Sequence, residues 1–263
     1  MIDVPIPKYA SDYDGYMLAK FTSELKYQQD FLDGKIYFNT SDFFASCDKE
    51  GIGDYTESQT LLVRPTPKHL VTGELKWIDG KVHIVYSDYT SESEKYPGLM
   101  VADFSTAENR NRKILSLYTT FVNINENRIA PFSDKMKKRF GKYTVLILER
   151  QEFFSRVFTA LLKETQNTDT RLGFVVYKTA EEMQGFIDWK PFMKPYDHDY
   201  ENEFRITFIN DNDLPKTLEL DKDIRDIAVP ISAEKLYSEM YLEDGKLYYP
   251  IEDKEVVSCP LLT

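Results

Sequence analysis

Hydrophobic and polar positions alternate with period two along much of this chain, in short runs. Met17 to Phe21, Lys35 to Asn39, Leu61 to Val63, Tyr143 to Leu148, Leu172 to Lys178, Glu203 to Ile209, Lys216 to Leu220 and Ile224 to Ile231 predict strands. Leu99 to Phe104 reads the same way, and the apolar run Ile114 to Val122 fits either helix or strand, with Thr119, Thr120 and Val122 leaning it towards strand. Two hairpins are predicted, Glu74 to Tyr86 around Asp79-Gly80 and Leu242 to Tyr249 around Asp244-Gly245. Helical periodicity is rarer. Glu24 to Leu32 stops at Gly34, Ser133 to Phe140 stops at Gly141, and Ser232 to Leu236 is short. Glu152 to Lys163 sets Phe153, Phe154, Val157, Phe158, Leu161 and Leu162 on one stripe. Thr179 and Glu182 have capping-box spacing and predict another helix start. Phe43 to Glu57, with Asp42, Asp48, Glu50, Asp54 and Glu57, reads as an irregular loop or short helical turns, either a solvated acidic connection or a site wall.

Many short strands with few helices define an α+β chain with mainly antiparallel sheet, folded as a single compact domain over residues 1–263. Within it lie an N-terminal strand–helix–strand unit at about 15–40, a hairpin insertion at about 60–90 and a C-terminal sheet at about 143–250. Neither an internal repeat nor a long linker divides it.

Composition narrows the chemistry. The chain is 42% hydrophobic, with 18 Tyr and 17 Phe, which is enough for a substantial core. Its formal net charge of −11 repels a phosphate backbone, so direct nucleic-acid binding is not expected, and the acidity reads either as solubility or as a surface for a basic protein partner. Cys47 and Cys259 are far apart, and His69, His83 and His198 are scattered, so no metal site is expected. The N-terminus lacks the form of a signal peptide and no apolar run is long enough to span a membrane, which predicts a soluble cytoplasmic protein of a reducing compartment. Trp77 and Trp189 read as packing residues, Arg156 as a helix-surface ion pair, and Cys47 as an unreactive thiol among acids.

The candidate chemistry centres on Tyr200-Glu201-Asn202-Glu203-Phe204-Arg205. On a continuous strand Glu201, Glu203 and Arg205 share one face, with Asn202, Phe204 and Ile206 on the other. That face is either solvated, with an ordinary exposed Glu203–Arg205 ion pair, or it lines a cleft.

With Lys20-Phe21, Gly34-Lys35-Ile36-Tyr37-Phe38-Asn39, Thr40-Ser41-Asp42-Phe43-Phe44, Asp54-Tyr55-Thr56-Glu57 and Gly173 to Lys178, this closing motif resembles a large bacterial and phage family known only as a domain of unknown function. The family closes with Glu-x-Glu-Trp/Phe-Arg. The chain departs from it at Thr22, where related sequences carry Arg, and in lacking an Asn-Asp pair after the second strand. The resemblance implies a setting in phage–host conflict or anti-phage defence.

The order of elements is also similar to that of ADP-ribosyltransferases, which use NAD. Mapped residue by residue, Glu203 is the essential acid, Glu201 orients the nucleophile, and Lys20, Tyr37, Thr40 and Ser41 bind NAD, with Tyr37 stacking on nicotinamide. The alternative is a non-catalytic acidic protein, a phage inhibitor or defence-system sensor, that binds a basic partner. A metal-dependent nuclease on Asp54, Glu57, Glu201 and Glu203 ranks last, because the net charge opposes nucleic-acid docking.

Overall fold

The computed structural model describes residues 5–47, 53–54, 56–64, 72–78, 81–87, 102–164, 169–183, 185–250 and 257–260. The chain opens with β1 (Gly15–Thr22), α1 (Leu25–Leu32), β2 (Lys35–Thr40) and α2 (Ser41–Ser46). Next come β3 (Leu61–Arg64), β4 (Thr72–Ile78), β5 (Lys81–Ser87), β6 (Ala102–Phe104), α3 (Ala107–Arg110) and β7 (Arg112–Asn123). The middle holds β8 (Arg128–Ile129), α4 (Asp134–Arg139), β9 (Tyr143–Ile147), α5 (Arg150–Glu164), β10 (Arg171–Phe174), β11 (Val176–Lys178), β12 (Gly185–Asp188) and β13 (Met193–Pro195). A 3-10 turn (Tyr196–Glu201) leads into β14 (Glu203–Ile209), followed by β15 (Lys216–Glu219), β16 (Ala228–Ser232), α6 (Ala233–Glu239), β17 (Tyr241–Glu243), β18 (Lys246–Tyr249) and β19 (Val257–Pro260).

This is an α+β fold built on an antiparallel sheet of nine strands among the described residues, with the path β10-β14-β7-β1-β9-β16. The twelve-residue β7 is its spine. One edge pairs with β14, Glu203 opposite Tyr118 and Arg205 opposite Ser116. The other edge is shared. β1 covers Tyr118 to Val122, then leaves to pair with β9 alone, while β2 arrives only at Ile114 and Lys113. Between the two partners, residues 115–117 face a split in the sheet.

Alternation gives the sheet two differently furnished faces. Leu18, Leu115, Leu117, Val145, Ile147, Phe204 and Ile206 point into the main core, which α1 and α5 close with Phe31, Leu32, Phe153, Phe154 and Val157. Met17, Ala19, Leu146 and Ile231 point the other way, under Leu236, Leu242 and Leu247. Tyr118, Met136 and Tyr200 form a small third cluster there, and Glu203 and Arg205 share that face through their pairing with β7.

Most predicted elements form, with instructive differences. Gly34 takes φ +82°, which ends α1 where an L side chain would be strained. Leu162 is 75% exposed, because α5 buries a stripe through Ala160 and Leu161 instead. The run from Leu172 to Lys178 breaks at Val175, and β11 pairs in parallel with β13 in a separate sheet. Thr179 and Glu182 exchange both capping-box hydrogen bonds, yet they close a single turn before β12. Ile224 to Ile227 precedes β16 rather than joining it. β3 lies between β12 and β6, outside the β4–β5 hairpin. The turn residues Asp79-Gly80, residues 99–101 of one predicted strand and the side chain of Trp77 lie outside the described residues.

Candidate active site

Of the two readings of the Glu203–Arg205 face, the solvated one does not hold: the face is buried. Glu203 is 3% exposed, Arg205 1% and Glu57 5%. Arg205 sits at the centre, with Nε 2.7 Å from Glu203 Oε1 and Nη2 3.0 Å from Glu203 Oε2. On its far side the guanidinium grips Glu57 in bidentate fashion, Nη1 at 2.9 Å from Oε2 and Nη2 on Oε1, and it also donates to the Pro191 carbonyl. Lys194 is the second cation. Its Nζ lies 2.5 Å from Glu201 Oε2, 3.0 Å from Glu203 Oε2 and 3.5 Å from Glu57 Oε1. The Ser116 hydroxyl donates to Glu203 Oε1, and His198 Nδ1 lies 2.9 Å from Glu201 Oε1.

Local backbone explains the convergence. The strand begins only at Glu203. Glu201 ends the 3-10 turn, and Asn202 between them is left-handed (φ 40°, ψ 49°), a conformation Asn tolerates better than most residues. The two acids therefore meet Lys194 from two directions, as a clasp rather than as neighbours on one strand. The acidic connection is a site wall rather than a solvated loop, and it delivers Glu57 inward. Asp54 Oδ1 accepts from both Thr56 N and Thr56 Oγ1, the Asp54 carbonyl accepts from Glu57 N–H, and this tight turn aims Glu57 at Arg205.

Lys20 reaches the cluster through the split. Alternation sets it with Tyr16 and Leu18 on the opposite face, and its Nζ donates to the Ser116 carbonyl at 3.0 Å. A cleft of about 140 Å³ opens here, lined by Lys20, Glu57, Ser116, Lys194, Glu201 and Glu203, with Phe21, Phe44, Tyr118 and Phe140 as aromatic walls.

The other expected NAD-binding residues do not converge on it. Tyr37 is 52% exposed and pairs through its backbone with Thr217 on β15. Thr40 caps α2 by accepting from Phe43 N–H, and Ser41 Oγ donates to the Asn109 and Arg110 carbonyls. Thr40 pairs with Lys113, five positions along β7 from the Tyr118 that faces Glu203, or about 17 Å at strand rise. Their place in chain order put them near the site; the splaying of β2 from β7 takes them away. α2 does contribute, through Phe44.

Burial and partners sort the titrating groups. Burial drives the Glu57 carboxyl up to about 7 against the pull of Arg205 and Lys194, with Asp54 and Glu203 adding repulsion. Burial also acts to raise Glu203, but Arg205 and Lys194 outweigh it and hold Glu203 far below the carboxylate range. Glu201 is likewise lowered, burial being overcome by Lys194 and the His198 hydrogen bond. Desolvation lowers Lys20 to about 8, with Glu203 opposing. The site thus pairs a permanently ionised Glu203 with two groups, Glu57 and Lys20, that titrate near neutrality, the separation expected of acid–base chemistry.

Lys194 was not anticipated as a site residue, and Glu57 only as a ligand in the last-ranked nuclease reading. The signals were the Asp-x-Thr-Glu turn and the need of two buried acids for more than one cation. Among the described residues no group of three or more His, Cys, Asp or Glu is disposed to hold a metal ion. Trp189 is buried, and Arg156 pairs with Asp226 and Glu152 on the surface, both as expected. No helix is long and apolar enough to cross a membrane, among the described residues. Compared with family models, curated proteins and solved structures, the chain matches none. The family resemblance therefore rests on its motifs alone.

Proposed function

We propose that this cleft is the centre of an ADP-ribosyltransferase-like enzyme that cleaves the nicotinamide–ribose bond of NAD, in the bacterial cytoplasm and in the setting of phage–host conflict. One observation carries the reading: Glu203, held ionised, borders a cleft walled by four aromatic rings and entered by Lys20. As the glycosidic bond breaks, the ribose gains oxocarbenium character, and a fixed carboxylate in a water-poor site stabilises that charge. Glu203 already accepts from Arg205, Lys194 and Ser116. A ribose hydroxyl exchanges at least cost with Ser116, the neutral donor, because no charge is left unpaired. Glu201, fixed by Lys194 and His198, orients the attacking nucleophile. Phe21, Phe44, Tyr118 and Phe140 take the stacking role first assigned to Tyr37.

The test is calorimetric titration with NAD together with a nicotinamide-release assay. Glu203→Gln is a poor probe, since it disturbs a buried ion network. Lys20→Met and Ser116→Ala leave that network's cations paired and are expected to lower kcat/KM by about tenfold or more. A wild type that gives no heat at millimolar NAD and releases no nicotinamide sinks the proposal.

That outcome would leave the second reading, a non-catalytic acidic module on a basic protein partner. It is favoured by one feature of the same cluster: Glu57, Glu201 and Glu203 all find cationic partners within the protein itself. Its mark is a complex with a basic protein that dissociates as salt rises.

A further inference from the structure

A second groove, of about 750 Å³, lies between α4 and α6 and shares Phe140 with the cleft. We infer that the two compartments form one bipartite site for a small phosphate-bearing nucleotide, with a ring or sugar in the cleft and the phosphates against Lys137 and Lys142. This rests on the cleft being a nucleotide-processing centre, as proposed above.

Size is the first argument. Ligand pockets usually span about 300–1,000 Å³. A cleft of about 140 Å³ holds one ring or one sugar, and the groove supplies the remaining room. Charge is the second. The protein carries a net −11, yet Lys135, Lys137, Lys138, Arg139 and Lys142 fall within eight residues that hold no acid. Lys137 and Lys142 line the groove, where Glu234 is the acidic lining residue. The same helix is tied to the acidic centre. Lys135 Nζ lies 4.0 Å from the Tyr200 ring centroid and Arg139 Nη1 donates to Tyr200 Oη at 2.9 Å, next to Glu201.

The partition between the compartments is the third argument. Phe140 contacts Phe21 at 5.4 Å and Tyr118 at 6.0 Å, and Tyr237 stacks on Phe21 at 6.0 Å. The buried Tyr237 hydroxyl has no hydrogen-bond partner among the described residues. An unpaired buried hydroxyl is costly, so the partition carries a polar group that its own packing does not satisfy. A long polyanion is disfavoured by the overall negative charge, which a short nucleotide feels far less.

The experiment titrates adenosine, adenosine diphosphate and a single-stranded oligonucleotide into wild type and into K137A/K142A, both substituted lysines being exposed, at low salt. Adenosine diphosphate is expected to bind at least about tenfold more tightly than adenosine, and K137A/K142A to erase most of that difference. Equal binding of adenosine and adenosine diphosphate overturns the inference. So does an unchanged affinity in K137A/K142A, an absence of binding, or an oligonucleotide that binds far more tightly than the diphosphate. NAD turnover separates this result from the function above. Turnover with an unaltered KM in K137A/K142A removes the groove and keeps the enzyme. Lysine-dependent binding of the diphosphate without turnover keeps the groove and removes the enzyme.

Discussion

At the residue scale the molecule is governed by three buried carboxylates around two buried cations. Removing one partner of such a network exposes the cost of the charges left behind, so Arg205→Met is expected to destabilise by about 3–5 kcal/mol in chemical denaturation. Glu57 sets a pH dependence of definite sign. Its folded pKa, about 7, lies above its ordinary 4.5, so in that window the folded state keeps a proton the unfolded chain has released. Stability from this group is therefore full below about 4.5 and falls as pH rises through 7. Glu203, shifted downward, acts oppositely, and its contribution is lost as pH falls below the carboxylate range. Glu57→Gln, which mimics the protonated acid, is expected to gain on wild type by up to about 3 kcal/mol between pH 5 and 8, read from denaturation midpoints at each pH. A difference independent of pH would place the proton elsewhere. At Asn202, a β-branched residue cannot adopt the left-handed backbone without strain. Asn202→Val is expected to cost about 1–2 kcal/mol and to weaken ligand binding in the same calorimetric assay.

At the element scale one corner couples folding to the site. A Cβ on Gly141 would stand 1.9 Å from the Thr22 carbonyl oxygen, a backbone atom that cannot swing aside. Gly141→Ala thus forces β1 away from the α4–β9 corner, and about 1–3 kcal/mol of destabilisation is expected, together with a disturbed cleft, since Phe21 and Phe140 flank the contact. A thermal midpoint equal to wild type would show that the corner yields freely. The elements themselves were largely legible, because alternation and helical stripes are local consequences of burial. Strands such as Tyr143–Ile147 and the apolar side of α5 needed only their own residues. The site was legible in part. Glu201, Glu203 and Lys20 do meet, but Glu201 arrives by a turn and a left-handed residue, not by alternation. Glu57 was named only as a metal ligand, because nothing local to an acidic loop shows that Arg205, 148 positions away, holds it. Tyr37, Thr40 and Ser41 failed for the complementary reason: nearness to Lys20 in the chain says nothing of where β2 diverges from β7.

At the scale of the whole molecule, one sheet gathers strands from Gly15 through Ser232, so no line of few contacts divides its two ends. Far-ultraviolet and near-ultraviolet signals are expected to melt together, and well-separated transitions would contradict this. The one seam in that sheet is the gap beside residues 115–117, and a single ammonium group is its fastener. Above about pH 8, where Lys20 surrenders its charge, the fastener slackens. Amide exchange mapped along the central strand is then expected to quicken first on either side of Ser116, so that the place where the cleft opens is also the place where the protein begins to come apart.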